Sequence, residues 1–177
     1  MARHWKLEYA ADLVAKWEGL ITTAYLDTLA VPSVLTVGYG HTKYAGAPIP
    51  HVGMKVTEEE AKKILTHDLR ATARAVSEKI TWPLTFRQRM ALISAAFNLG
   101  PGILDDLAPL INHGHIKAAA RKLEGYDHDG HGVVIEGLRR RRKNEAWLLR
   151  HDHLPSPHRP KPTHPKRPAK KRRRRRG

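Results

Sequence analysis

The chain has 177 residues, 41% of them hydrophobic, a formal charge of +15 and no cysteine. That length and composition suit one domain with its own core, and the missing cysteine excludes a disulfide framework and any thiolate metal site. No apolar run approaches the roughly 20 residues that span a bilayer, and Glu8, Asp12 and Lys16 interrupt the apolar residues near the N-terminus, so no signal-peptide core is read there.

Leu7, Ala10, Ala11, Val14 and Trp17 recur at helical spacing and predict a helix over 5–18, stopped by Gly19. The pattern then changes. Ala24-Tyr25-Leu26 and Val34-Leu35-Thr36-Val37 read as two short strands, with turn chemistry in Asp27-Thr28 and Pro32-Ser33. Gly38-Tyr39-Gly40 follows, where the backbone either approaches a neighbour closely or takes positive φ. Thr57-Glu58-Glu59-Glu60 is a capping box opening a helix with Ala61, Ile64, Leu65, Leu69, Ala73 and Val76 near one face. Thr85-Phe86-Arg87-Gln88 is a second box. The helix behind it carries Met90, Leu92, Ile93, Ala96 and Phe97, which predicts a core position, and Gly100-Pro101-Gly102 ends it. Helices are further expected at about 103–113, 115–124 and 136–150, the last anchored by Leu138, Trp147 and Leu148. There is no internal repeat.

The charge is uneven. Residues 155–177 hold eleven Lys and Arg, no acid and six of the twelve prolines, so the rest of the chain carries 15 − 11 = +4. Such a segment lacks the apolar surface to offset its ordering entropy. A folded part over 1–154 and a cationic, disordered arm over 155–177 are therefore expected. The basic arm is also what a nucleic-acid binder carries, but the near-balanced folded part shows none of the common motifs of that class.

Two carboxylates can do acid–base work on a glycosidic bond if one stays protonated and the other is ionised on the opposite side of the sugar. Glu18 closes the first helix beside Trp17 and Leu20, and Asp27 follows nine residues later at a strand end. Taken alone, either reads first as a solvated surface group. Asp127-His128-Asp129-Gly130-His131 looks ligand-like, but its spacing fits no metal motif and reads as a flexible polar loop. Trp5, Trp17, Trp82 and Trp147 read as packing residues. The run Arg139–Lys143 reads as a solvated helix face, as a patch drawn to an anionic surface such as a cell wall, or as Arg140–Arg142 packed behind a cleft.

The surroundings of the two carboxylates add to this. Lys16-Trp17-Glu18-Gly19-Leu20, Ala24-Tyr25-Leu26-Asp27 and Thr36-Val37-Gly38-Tyr39-Gly40-His41-Thr42 resemble the phage lysozymes of glycoside hydrolase family 24, whose pattern is roughly E-G-x8-D, a hairpin, then T-[IV]-G-x-G-H. Gly53, Val56–Ala61, Asp68-Leu69, Ala96–Gly102, Gly137-Leu138, Arg140–Arg142 and Glu145 extend the resemblance over about residues 6–150. This chain departs from the pattern in the longer, glycine-free stretch from Thr28 to Leu35, and in Asp105-Asp106, where relatives often carry small hydroxyl residues.

The resemblance implies an α+β, mainly α-helical fold of two lobes, a small β-hairpin lobe and a helical lobe, flanking a cleft. It implies an endolysin that cleaves the β-1,4 bond between N-acetylmuramic acid and N-acetylglucosamine in peptidoglycan with inversion. Glu18 would be the general acid, Asp27 would activate water, and Thr36 would help hold that water. Thr42 and Phe97 would line the sugar cleft. His41 and Asp68 would form a structural ion pair, one that holds the Asp68 carboxyl below its usual range. No metal or cofactor is implied. The expected partners are peptidoglycan and, through Lys170, Lys171, Arg172, Arg173, Arg174, Arg175 and Arg176, lipopolysaccharide or the outer membrane. The expected state is a monomer held in the host cytoplasm until release to the periplasm and cell wall. A catalytically inactive wall-binding module is the other reading of the same motifs, and the intact Glu18, Asp27 and Thr36 weigh against it.

Overall fold

The computed structural model describes residues 7–28, 32–129 and 131–151. Residues 155–177, expected above to be a disordered arm, Trp5 and residues 29–31 lie outside the described residues. Among the described residues there are six α-helices and a three-stranded antiparallel sheet. In chain order they are α1 (Leu7–Ala15), β1 (Ile21–Asp27), β2 (Val34–Gly38), β3 (His41–Thr42), a 3-10 turn at Lys43–Ala45, α2 (Glu58–Lys79), α3 (Phe86–Leu99), α4 (Ile103–Asn112), α5 (Ile116–Glu124) and α6 (Glu136–Arg150).

Both capping boxes form. Thr57 Oγ1 accepts from the Glu60 amide at 3.2 Å while Glu60 Oε2 accepts from the Thr57 amide at 2.7 Å. Thr85 and Gln88 do the same at 3.3 and 3.0 Å. Each box satisfies amides that a helix start leaves without partners. Behind them, Ala61, Leu65, Leu69, Ala73 and Val76 bury one stripe of α2, and Ala91 to Ala96 form the buried middle of α3. The core joins these to Ala10, Ala11 and Val14 of α1, Leu104 and Leu107 of α4, Leu123 of α5, and Ala146, Leu148 and Leu149 of α6.

The first helix is shorter than its periodicity suggests. It ends at Ala15, and the amides of Trp17 and Glu18 both turn back to the Val14 carbonyl at 2.8 and 3.1 Å. The chain is thus wound off the helix before Gly19, and Glu18 sits in a bend. The sheet is larger than expected, because β3 adds an edge at Thr36–Thr42 and Val37–His41. Residues 54–56 cover the other edge through Ala24 N to Met54 O and Val56 N to Thr22 O, each 2.9 Å. Gly38 has both properties that a glycine there allows. Its φ is +67°, and a Cβ would lie 3.2 Å from that of Ala61, so it lets β2 approach α2.

Candidate active site

Glu18 leaves its bend toward α6. Arg141 Nη1 donates to Glu18 Oε1 at 2.6 Å, and the Arg141 side chain is only 4% exposed against 24% for Glu18. Arg141 is itself held from behind. Its Nε donates to Glu145 Oε1 at 3.1 Å and its Nη2 to the Ser94 carbonyl at 3.2 Å. The Ser94 hydroxyl donates to the same Glu145 oxygen at 2.6 Å. Arg142 closes the group, with Nε 3.2 Å from Glu145 Oε2 and Nη2 donating to Asn98 Oδ1 at 2.6 Å. Burial pushes the Glu145 carboxyl up, and Arg142, the Ser94 hydroxyl and Arg141 pull it back. Burial likewise lowers Arg142, with Glu145 and Glu18 opposing. Two guanidinium groups and two carboxylates thus form one low-dielectric cluster, of which only Glu18 is substantially open to solvent.

The run Arg139–Lys143 therefore splits. Arg141 and Arg142 are buried, Arg140 is exposed, and Arg139 Nε donates to Asp127 at 3.0 Å. The residues missed from the sequence as a site are Ser94 and Glu145. A signal was present. Leu138, Arg141, Arg142, Glu145, Leu148 and Leu149 follow the 3–4 spacing of one helix face, so the charged members fall on the apolar stripe of α6.

Asp27 and Thr36 are placed by strand register. Asp27 pairs with Val34, Tyr25 with Thr36, and Thr36 with Thr42. Paired residues, and residues two apart along a strand, point to one face. Asp27, Thr36 and Thr42 therefore share a face of the sheet, and a slip of one residue would send a strand's members to the other. Thr36 is buried and its hydroxyl donates to the Val34 carbonyl at 3.3 Å, which leaves the oxygen's lone pairs for another donor. The longer turn between the strands does not disturb this register. Thr42 Oγ1 also accepts from the Tyr44 amide at 3.3 Å, capping the 3-10 turn. Phe97 is half-buried on α3, three residues after Ser94 and one before Asn98. Glu18 is thus fixed to the helical side through Arg141, while Asp27, Thr36 and Thr42 belong to the sheet.

His41 and Asp68 meet. His41 Nδ1 lies 2.7 Å from Asp68 Oδ2, with both side chains nearly excluded from water, and His41 Nε2 lies 2.8 Å from the Pro48 carbonyl. A carbonyl needs a proton on Nε2, and the short Nδ1–Oδ2 contact needs another between those two atoms. The pair therefore holds two protons in this geometry. The Asp68 carboxyl does not fall below its usual range as expected. Burial raises it, and the His41 contact only partly offsets this.

Other sequence features settle elsewhere. Asp105 pairs with Lys79, and Asp106 accepts from Lys122 and the Tyr126 hydroxyl at 2.7 Å each, so both acids tie α4 to its neighbours. The described residues around the 127–131 motif make more contacts than the expected flexible loop would. Asp127 is buried and held below its usual range, first by Arg139; Asp129 accepts from the His131 and Val133 amides; and the Ile135 amide returns to the Asp127 carbonyl at 2.8 Å. Trp82 packs over Gly114 and Trp147 stacks on His151 at 4.6 Å. An open concavity of about 520 Å³, lined among others by Gln88, His115, Lys117, Arg121 and Arg150, contains no carboxylate and none of Glu18, Asp27, Thr36, Thr42, Phe97, His41 or Asp68.

The chain matches the phage lysozyme family over residues 15–145. It is 34% identical over 142 residues to an endolysin of Bacillus phage B103, a stretch that is 78% of this chain and 51% of that protein. It is 35% identical over 130 residues to a SAR-endolysin of bacteriophage PS119, covering 72% of this chain and 75% of the relative. The chain spans about half the length of the Bacillus phage relatives it matches. Among solved structures, the muramidase domain of SpmX from Asticaccaulis excentricus superposes with a TM-score of 0.72 at 30% identity, covering 83% of this chain and 98% of that domain. The chain belongs to the phage lysozyme family.

Proposed function

We propose that this protein is an endolysin that hydrolyses the β-1,4 bond between N-acetylmuramic acid and N-acetylglucosamine in peptidoglycan, a reaction of glycoside hydrolase family 24. The observation that carries the reading is the contrast between its two carboxylates. Glu18 is partly screened from water against a buried Arg141, and Asp27 stands beside Thr36 on a sheet face. Glu18 donates its proton to the glycosidic oxygen as the bond to the anomeric carbon breaks. Asp27 takes a proton from a water whose oxygen bonds to that carbon, and Thr36 holds the water. Attack from the far side inverts the anomeric centre. Thr42 and Phe97 contact the sugars, and His41–Asp68 ties the sheet to α2. No cofactor or metal takes part in this scheme.

Residues 1–154 form the catalytic unit in this reading, and the protein acts as a monomer. The arm at 155–177, with Lys170, Lys171 and Arg172–Arg176 at its end, binds anionic lipopolysaccharide at the outer membrane by displacing its bridging cations. The enzyme waits in the host cytoplasm and acts in the periplasm after release. None of the helices among the described residues is long and apolar enough to cross a membrane.

Digestion of purified peptidoglycan tests the reading. New reducing ends should be on muramic acid, and the first-formed product, followed by NMR, should be the α-anomer. Asp27→Asn should slow their release at least a hundredfold, as loss of a general base does at about 10²–10⁴-fold. Reducing ends on glucosamine, or early β-anomer, would overturn the assigned bond or the inverting course.

A further inference from the structure

The contact that holds Glu18 poses a chemical problem. A guanidinium 2.6 Å away stabilises the carboxylate, yet a general acid must hold its proton. The geometry behind Arg141 points to an answer: we propose that Glu145 is a positioning residue that shares Arg141 with Glu18 and thereby lets Glu18 keep its proton at working pH. This rests on Glu18 being the general acid.

The donors are unequally divided. Around Glu145, the Ser94 hydroxyl and Arg141 Nε donate to Oε1 at 2.6 and 3.1 Å, and Arg142 Nε stands 3.2 Å from Oε2. Around Glu18, Arg141 Nη1 alone donates among the described residues. Two donors meet on one oxygen of Glu145 and a single one reaches Glu18, so the guanidinium pair is held chiefly by Glu145. The ionised Glu145 then offsets one of the two guanidinium charges. Without it, Arg141 and Arg142 would face Glu18 as two positive charges with no buried counter-charge, and would strip its proton at lower pH. The charged and titratable groups that face Glu145 are Arg141 and Arg142 from its own helix and Ser94 from α3, with Asn98 of α3 on Arg142 and Glu18 on the far side of Arg141. Burial raises the Glu145 carboxyl above its usual range, and the nearby charge of Arg142 and the hydrogen bonds from Ser94 and Arg141 only partly offset this. Groups coupled this closely titrate as a unit, so the division of protons has to be read on both residues.

The test is the pH dependence of peptidoglycan hydrolysis by the full chain and by Glu145→Gln. The alkaline limb of the variant should lie about one pH unit lower, so that its rate relative to wild type falls about tenfold further between the acid side and that limb. A variant that is slower by one factor at every pH would show a purely structural role and overturn the proposal. A second measurement needs no variant. In ¹³C-glutamate-labelled wild type, the Glu18 carboxyl should take up a proton first as pH is lowered, with Glu145 still ionised. Protonation of Glu145 before Glu18 would overturn the proposal even if Glu145→Gln does not fold. Glu18→Gln separates the two readings. If it stays active, the general-acid assignment fails; if it is inactive and the limb in Glu145→Gln has not moved, only the role of Glu145 fails.

Discussion

Replacing His41 by alanine would remove a side chain that is 2% exposed and bridges two elements. The Asp68 carboxylate would lose its 2.7 Å partner and the Pro48 carbonyl its 2.8 Å donor. Breaking a buried pair costs about 3–5 kcal/mol. Asp68 keeps a 3.5 Å contact with the more exposed His67 and can neutralise itself by protonation, so the lower end applies, about 3 kcal/mol. At about 2–4 °C per kcal/mol for a domain of this size, Tm should fall by roughly 6–12 °C. The sign with pH follows from Asp68. Its folded value is raised above 3.8, so the folded state binds the proton more tightly and the wild-type protein loses stability as pH rises from 3.8 through that value. His41 pulls the value down. Without it Asp68 rises further, so the variant goes on losing stability above the wild-type folded value and the gap between the two proteins widens with pH. Thermal melts at pH 3.5 and pH 6 measure both quantities. A variant within about 2 °C of wild type at pH 6, or a gap equal at the two pH values, would refute the reasoning.

Gly38→Ala should cost about 1–2 kcal/mol for the left-handed conformation alone, and more because its Cβ would press on Ala61; Gly40→Ala, at φ +87° with nothing within 4 Å, should cost less. Equal losses in chemical denaturation would remove the contact with α2 from the account. Deleting residues 155–177 should leave hydrolysis of purified peptidoglycan within a few-fold of wild type at low salt and reduce killing of intact Gram-negative cells, an effect that fades as salt shortens the Debye length to about 8 Å. Equal killing by the truncated chain would remove the membrane role of the arm.

Local chemistry made much of this fold legible. Thr57 and Thr85 announced α2 and α3 because a capping box is a short-range device, written within four residues. The helix ends at Asn112, Glu124 and Arg150 fell within a residue of the expected 113, 124 and 150. The early end of α1 was not legible, because Trp17 continues the helical period while its amide turns back to Val14. β3 was missed because two residues carry no period. At the site, Glu18, Asp27 and Thr36 were named from local motifs, and the His41–Asp68 contact from the family resemblance. Glu145 escaped because its role depends on Ser94, 51 positions away, and on Arg141, one turn back on the same helix. The raised Asp68 was also misjudged. An ion pair can be read from a sequence, but the burial that outweighs it depends on how α2 packs against the sheet.

The central claim is that Glu18 gives the proton to the leaving oxygen. Glu18→Gln keeps the shape and leaves an oxygen to accept from Arg141, but has no acidic proton. On purified peptidoglycan, with folding verified by circular dichroism, the account predicts a loss of at least a hundredfold in the release of reducing ends, given the ~10²–10⁴-fold that general acid catalysis supplies. A folded variant that retains more than about a tenth of the wild-type rate would contradict it.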